Sequence, residues 1–124
     1  KEILLFGHLG KLVKLAGGIF HTHNRMADAR METLAAYMAA EGAPQAAVRA
    51  VLACTTTEAA IPIIRQHGLD SVYSLLAERA SIRAQRFVFE DAVVGTAIIS
   101  MQGEVLGLDA AARRIGGSLG WNIN

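Results

Sequence analysis

Apolar residues near the start of the chain fall first in a run and then at helical spacing. The run Ile-Leu-Leu-Phe predicts a buried strand over Glu2–Phe6, with Gly7 as its exit. Apolar residues within Leu9–Ala16 then recur three and four positions apart, which predicts a helix that Gly17 ends. The start of the chain therefore predicts a strand followed closely by a helix.

The helical spacing continues through the middle of the chain. It predicts helices over Arg25–Glu41, with Asn24 as N-cap, over Gln45–Ala53, and from Ser71 to about Arg86. A further helix is signalled by a capping-box pattern, Thr55-x-x-Glu58, which precedes an apolar run. Pro62 lies inside that run and lacks a backbone donor, so we expect either a kink or a start shifted to Thr57.

The last third of the chain changes to strand character. Val93–Ser100 is apolar and β-branched, which predicts a buried strand, and Val105–Gly107 is the expected partner in a hairpin. Asp109 is the expected N-cap of a last helix, Ala110–Ile115, which the glycine pair after it would end. Helices around about three strands predict an α/β fold.

Composition restricts the kind of molecule this is. With 124 residues, 52% of them apolar, the chain can form one packed domain, and a net charge of +1 argues against binding to nucleic acid or a membrane surface. It has no apolar run of membrane length, and we expect no signal peptide. A single cysteine, Cys54, read as a small buried hydrophobe, is compatible with a reducing compartment, and we expect a cytoplasmic protein.

The small number of strands suggests that part of the sheet is supplied elsewhere. Three strands are few for an independent sheet. The sequence also begins at Lys1, directly before the first strand and without an initiating Met. We therefore expect a piece of a longer polypeptide.

The stretch from Gly7 to Arg30 carries the most chemistry. Its 24 residues include four glycines, two lysines, three histidines, two arginines and an aspartate. A strand that runs into a helix here would present backbone N–H groups and cations at a sheet edge, which suits anionic or zwitterionic ligands. The glycine spacing matches neither a Walker-type phosphate loop nor a dinucleotide fingerprint. The residues alone leave open whether this is a ligand site or a tight structural turn.

Two other sets of side chains in this stretch are candidate sites. His8, His21 and His23 have no acidic or cysteine partner at a convincing metal spacing, so we expect no metal and favour hydrogen bonding or substrate contact. Asp28 and Arg30 follow the histidines and either line a site or lie on a solvated helix face.

The run GHLGKLVKLAGGIFHTHNRMADARMETLAA resembles the CbiD family, the cobalt-precorrin-5B C(1)-methyltransferases of anaerobic cobalamin biosynthesis. The residues that carry the resemblance are Gly7, His8, Gly10, Lys11, Lys14, Ala16, Gly18, Ile19, Phe20, Thr22, His23, Ala27, Asp28, Arg30 and Glu32. The resemblance implies that S-adenosyl-L-methionine is the methyl donor and that a cobalt-containing tetrapyrrole, cobalt-precorrin-5B, is converted to cobalt-precorrin-6A.

The resemblance also implies a two-domain enzyme. Residues 1–124 would be most of its C-terminal α/β domain, Rossmann-like, with a small, mostly parallel sheet flanked by helices. The N-terminal α+β domain would be absent from this chain and would be its partner in the enzyme.

The roles implied for individual residues follow the same resemblance. Catalytic roles fall to His8, His23 and Asp28. Cofactor binding falls to Gly7, Gly10 and Lys11, and substrate binding to Lys14, Thr22, Arg25 and Arg30. A non-catalytic module that binds an anionic metabolite or docks a partner subunit is the alternative, and the alanine-rich helices leave a homo-oligomer open.

Overall fold

A computed structural model describes residues 2–18, 29–87 and 92–120 of the chain. The elements in these ranges are β1 (Glu2–His8), α1 (Leu9–Ala16), α2 (Arg30–Ala40), α3 (Gln45–Leu52), α4 (Thr57–Gln66), α5 (Ser71–Phe87), β2 (Val93–Ile99), β3 (Val105–Leu108) and α6 (Ala110–Ser118). In the ranges described, no helix combines the length and the apolar character needed to cross a bilayer.

The described strands form one mixed sheet in the order β1-β2-β3. β1 runs parallel to β2, from Glu2 opposite Val93 to His8 opposite Ile99. β2 and β3 are antiparallel and joined by a short turn. The α/β class is confirmed. A mostly parallel, Rossmann-like sheet is not confirmed, because the described strands make one pair of each kind.

Helices cover both faces of this sheet. α1 and α5 pack on one face, and α6 packs on the other. Glycines allow the close approach: Gly107 of β3 lies against Tyr73 of α5, and Gly95 of β2 lies against Ala112 of α6. The main core lies between α1, α5 and the helices α2 to α4. Its largest fully buried side chains include Leu9, Leu12, Leu34, Met38, Ile64, Val72, Tyr73, Leu76 and Ile98.

A network of hydrogen bonds around Asp109 joins three elements. Its Oδ1 accepts from the backbone N–H of Ala112 at 2.8 Å, as the N-cap of α6, and from that of Thr96 in β2 at 3.1 Å. Its Oδ2 accepts from the hydroxyl of Ser81 in α5 at 2.5 Å. The predicted cap is therefore confirmed, and it also connects α5 and β2 to the start of α6.

Several predicted boundaries near the candidate site are wrong. β1 does not end before Gly7 but continues through His8, because Gly7 and His8 still pair with Ile98 and Ile99 of β2. No turn separates strand from helix, since α1 begins at Leu9. α2 begins at Arg30 rather than Arg25, with Ala29 as its N-cap. The predicted cap, Asn24, lies outside the described residues.

Two further boundaries differ for local reasons. α4 begins at Thr57, as one of the two alternatives predicted, but its N-cap is Thr56 rather than Thr55, because Thr56 is extended and its hydroxyl accepts from Ala59 N–H. α6 runs past the glycine pair to Ser118. Glycine costs a helix only about 1 kcal/mol relative to alanine, so the pair weakens the helix without ending it.

Candidate functional site

The candidate site lies at one edge of the sheet, where β1 and β2 end. The two strands are parallel, so the carboxyl ends of both, at His8 and Ile99, meet at this edge. α1 follows His8 directly, and the turn after β2 brings Met101 to the same place. Ligands of α/β proteins commonly bind outside the carboxyl ends of parallel strands.

An open cleft of about 470 Å³ occupies this edge. Small-molecule sites have volumes of about 300–1,000 Å³, so the cleft is within their usual range. The residues that line it are His8, Gly10, Lys11, Lys14, Arg30, Thr56, Thr57, Glu58 and Met101. They come from β1, α1, the first turn of α2, the start of α4 and the turn between β2 and β3.

Three cations line the cleft, and we call them the cationic wall: Lys11, Lys14 and Arg30. Lys11 is exposed, whereas Lys14 is only 3% exposed, and Arg30 is half-buried as the first residue of α2. Attraction between charges is stronger where water is excluded. The cationic wall is therefore suited to hold a negatively charged group.

The start of α4 contributes hydroxyls and one carboxylate, and we call it the α4 wall: Thr56, Thr57 and Glu58. Thr56 Oγ1 accepts from Ala59 N–H at 3.2 Å and caps the helix. Thr57 is 5% exposed. Glu58 Oε1 accepts from the backbone N–H of Met101 at 3.1 Å, which holds the turn after β2 against the start of α4.

Gly10 lies where the two walls meet. A Cβ built on Gly10 would lie 3.1 Å from Thr57 Oγ1 and 3.5 Å from Arg30 Nη1. The first turns of α1 and α4 therefore both border the cleft. The backbone N–H groups at a helix start favour negative charge, which adds to the effect of the cationic wall.

The structure gathers five of the predicted site residues at this cleft: His8, Gly10, Lys11, Lys14 and Arg30. It places Gly7 elsewhere, since a Cβ on Gly7 would contact the buried side chain of Leu12 at 3.9 Å. Four other predicted site residues, Thr22, His23, Arg25 and Asp28, lie outside the described residues. The roles assigned to all ten residues stay predictions.

The sequence reasoning missed the α4 wall and Met101. The run Thr-Thr-Thr-Glu was interpreted only as a helix cap, although hydroxyls and an acid at a helix start are also ligand-binding groups. The three consecutive threonines were a signal for a ligand site, because a helix cap needs only one hydroxyl. Met101 had no signal, because its position depends on the parallel pairing of β1 and β2.

The side chains that could bind a metal do not cluster in the part of the chain that the structure describes. Among residues 2–18, 29–87 and 92–120, no three histidine, cysteine or acidic side chains are close enough to hold one ion. His21 and His23 lie outside these ranges. The prediction that the chain holds no metal therefore stays a prediction.

Comparison with known proteins gives the family. The family model described as CbiD, C-terminal domain, matches residues 21–110. A cobalt-precorrin-5B C(1)-methyltransferase of Moorella thermoacetica is 47% identical over 123 residues, which is 98% of this chain and 34% of that protein. A protein of the same name from Desulfitobacterium hafniense is 47% identical over 116 residues, 94% of this chain and 30% of its own length.

The chain thus spans about a third of the length of the curated relatives it matches. No solved structure matches it significantly. The family model covers well over half of the chain, and it names the same family as the resemblance seen in the sequence. The chain belongs to the CbiD family, in the region of its C-terminal domain.

Proposed function

We propose that this chain is most of the C-terminal α/β domain of an S-adenosyl-L-methionine-dependent methyltransferase. Its substrate would be cobalt-precorrin-5B and its product cobalt-precorrin-6A, in anaerobic cobalamin biosynthesis. Relatives at 47% identity are named cobalt-precorrin-5B C(1)-methyltransferases, which supports the reaction class. The cleft supports a ligand site in this part of the protein, and the cationic wall is the observation that carries the proposal.

The cationic wall fits the charge of both molecules in this reaction. The tetrapyrrole carries several carboxylates, and the methyl donor carries one on its methionine end. Lysine and arginine bind carboxylates through charge-assisted hydrogen bonds, which fix orientation as well as add affinity. S-Adenosyl-L-methionine, when bound, supplies a methyl group on a positively charged sulfur. The contribution of Lys11, Lys14 and Arg30 is to hold the reactants in line.

His8 is the described side chain best placed to handle a proton. It is the last residue of β1, it is exposed, and it lines the cleft. Imidazole is the side chain that most often serves as a general acid or base. We assign it that role. His23 and Asp28 as further catalytic groups, and Thr22 and Arg25 as substrate ligands, stay proposals from the family resemblance.

The rest of the active site would come from the N-terminal α+β domain of the same enzyme. The relatives are about three times as long as this chain, which supports a contribution from a partner domain. A cytoplasmic location and a homo-oligomer also stay predictions.

The test is methyl transfer by the full-length protein, with the methylated product measured by mass spectrometry. Wild-type protein should methylate cobalt-precorrin-5B, and Lys11→Ala or Arg30→Ala should lower kcat/KM by about 10- to 100-fold, since a hydrogen bond to a charged group is worth about 1.5–3 kcal/mol. Arg113→Ala, an exposed cation on α6, is the matched control and should retain wild-type activity.

A wild-type protein that binds the tetrapyrrole but transfers no methyl group would contradict the proposal. That result would favour the alternative, a module that binds an anionic metabolite without chemistry. Equal loss in Lys11→Ala and Arg113→Ala would also contradict the role of the cleft.

A further inference from the structure

The cleft contains a carboxylate that a simple anion site would not have. Glu58 lines the same space as the three side chains of the cationic wall. A carboxylate here repels a negatively charged ligand, because like charges at short range disfavour each other. The presence of both signs of charge suits a ligand that also carries both signs.

Contacts with the described residues occupy only one of the two carboxylate oxygens of Glu58. Its Oε1 accepts from Met101 N–H, whereas its Oε2 takes no hydrogen bond from any residue in the described ranges. Within those ranges it also makes no ion pair, although Lys11, Lys14 and Arg30 line the same cleft. One carboxylate oxygen is thus held by the backbone, and the other is left to accept from a ligand.

We propose that this cleft binds the α-amino-acid end of the methyl donor, with its carboxylate at the cationic wall and its ammonium at Glu58. An α-amino acid carries one carboxylate and one ammonium on the same carbon, which is the charge pair that this cleft complements. The proposal rests on the proposed function, and it assigns the cleft to the donor rather than to the tetrapyrrole.

The chemistry of the tetrapyrrole argues against it as the occupant of this cleft. Its acidic side chains would all meet the cationic wall favourably and Glu58 unfavourably. The volume of about 470 Å³ is also in the range for a molecule of ordinary ligand size. The donor offers an ammonium to Glu58 as well as a carboxylate to the cationic wall, whereas a polycarboxylate offers Glu58 no opposite charge.

The test separates the two charges of the ligand. Full-length protein is titrated with three probes that all have a neutral sulfur: S-adenosylhomocysteine, which has both charged groups, decarboxylated S-adenosylhomocysteine, which keeps only the ammonium, and 5′-methylthioadenosine, which has neither. The variants are Glu58→Gln, which keeps an oxygen for the Met101 amide, and Lys11→Ala. Glu41→Gln, an exposed carboxylate at the end of α2, is the control.

The expected result is a loss that depends on the probe. Glu58→Gln should weaken S-adenosylhomocysteine and the decarboxylated probe by about tenfold or more, and should leave 5′-methylthioadenosine unchanged. Lys11→Ala should weaken S-adenosylhomocysteine by a similar factor and leave the decarboxylated probe unchanged. Glu41→Gln should match wild type with every probe.

Three results would overturn the inference. If Glu58→Gln weakened the affinity for all three probes equally, Glu58 would act only on the structure of the cleft. If Glu58→Gln and Lys11→Ala both bound S-adenosylhomocysteine as tightly as wild type, the amino-acid end would bind elsewhere. Weaker binding of uroporphyrin, a polycarboxylate tetrapyrrole, to Lys11→Ala with unchanged S-adenosylhomocysteine would assign the cleft to the tetrapyrrole. Failure of wild type to bind S-adenosylhomocysteine would instead contradict the proposed function itself.

Discussion

Gly95 and Ala112 are packed so closely that no side chain fits between them. A Cβ built on Gly95 would lie 2.4 Å from the backbone nitrogen of Ala112. This contact lets the first turn of α6 rest directly on β2, where Asp109 reaches the backbone N–H of Thr96. The glycine is therefore required by the position of α6 on the sheet.

Gly95→Ala should destabilise the chain strongly. Because the clash is with backbone atoms of α6, neither partner can rotate away, and the helix must shift. Overpacking of this kind typically costs about 1–3 kcal/mol and sometimes more, and we expect the upper end or beyond. The measurement is the free energy of unfolding in urea. Wild-type stability in this variant would contradict the packing of α6 on β2.

Gly117→Ala should have the opposite effect. Gly117 lies within α6 and a Cβ there would meet nothing within 4 Å. Alanine restricts the unfolded chain and favours the helix, so a gain of about 0.4–1 kcal/mol is expected in the same urea experiment. A loss of stability would show that the helix does not continue past Gly116 in solution.

Gly10→Ala should affect ligand binding more than stability. Its Cβ would lie 3.1 Å from Thr57 Oγ1, so the start of α4 must move by a few tenths of an ångström. We expect a cost of about 1 kcal/mol in stability and a several-fold weaker affinity for S-adenosylhomocysteine, because the two walls are displaced. Calorimetric titration measures the affinity, with Gly117→Ala as the control. Unchanged affinity would argue that the junction of α1 and α4 does not shape the site.

Asp109→Ala should cost more than the loss of an ordinary helix cap. It removes the cap of α6 and leaves the Thr96 N–H without its acceptor, while the buried Ser81 hydroxyl keeps only its bond with the Thr96 hydroxyl. A cap is worth about 1 kcal/mol, and an unsatisfied buried group costs about 1–3 kcal/mol more. Thr56→Ala, which loses the cap bond to Ala59 alone, is the comparison. Equal losses in the two variants would contradict the role of the network.

Tyr73→Phe should remove a sensitivity to alkaline pH. Burial, with a smaller contribution from Asp70, raises the pKa of the Tyr73 phenol well above its usual range. The unfolded chain therefore loses this proton above about pH 10 while the folded chain keeps it, so stability falls by up to about 1.4 kcal/mol per pH unit from there. Below about pH 10 the two states hold the proton equally and the dependence vanishes.

The Tyr73→Phe experiment compares unfolding free energies near pH 8 and pH 11, with Tyr37→Phe as the control. No described residue hydrogen-bonds the buried Tyr73 hydroxyl, so the variant should be about 1 kcal/mol more stable at pH 8. The hydroxyl of Tyr37 accepts from Arg79 Nε, and its removal should not reproduce that gain. The same alkaline slope in Tyr73→Phe and wild type would contradict the prediction.

Local patterns were enough to predict most of the elements. The apolar spacing of Leu9–Ala16 predicted the observed bounds of α1, and the β-branched run after residue 92 predicted β2. Asp109 was recognised as a cap because its spacing to a helical run is a local signal. Its bonds to β2 and α5 join residues distant in sequence, so spacing carries no information about them.

The candidate site was only half predictable for the same reason. The cations at positions 11, 14 and 30 are concentrated in one segment, and that density drew attention to them. Glu58 and Met101 reach the cleft only because α4 packs near α1 and because β2 runs parallel to β1. Such relationships are set by tertiary packing, which a single sequence does not display.

The direct passage from His8 to Leu9 has a mechanical consequence. With no residue between strand and helix, Lys11 and Lys14 are carried by a helix anchored to the sheet, and this side of the cleft has no hinge. On the other side, α4 is joined to the turn after β2 by the bond from Met101 N–H to Glu58 and by the exposed Arg65–Glu104 ion pair. Among the described elements, adjustment to the shape of a ligand would therefore come from movement of α4 and the turn after β2, while α1 stays fixed on the sheet.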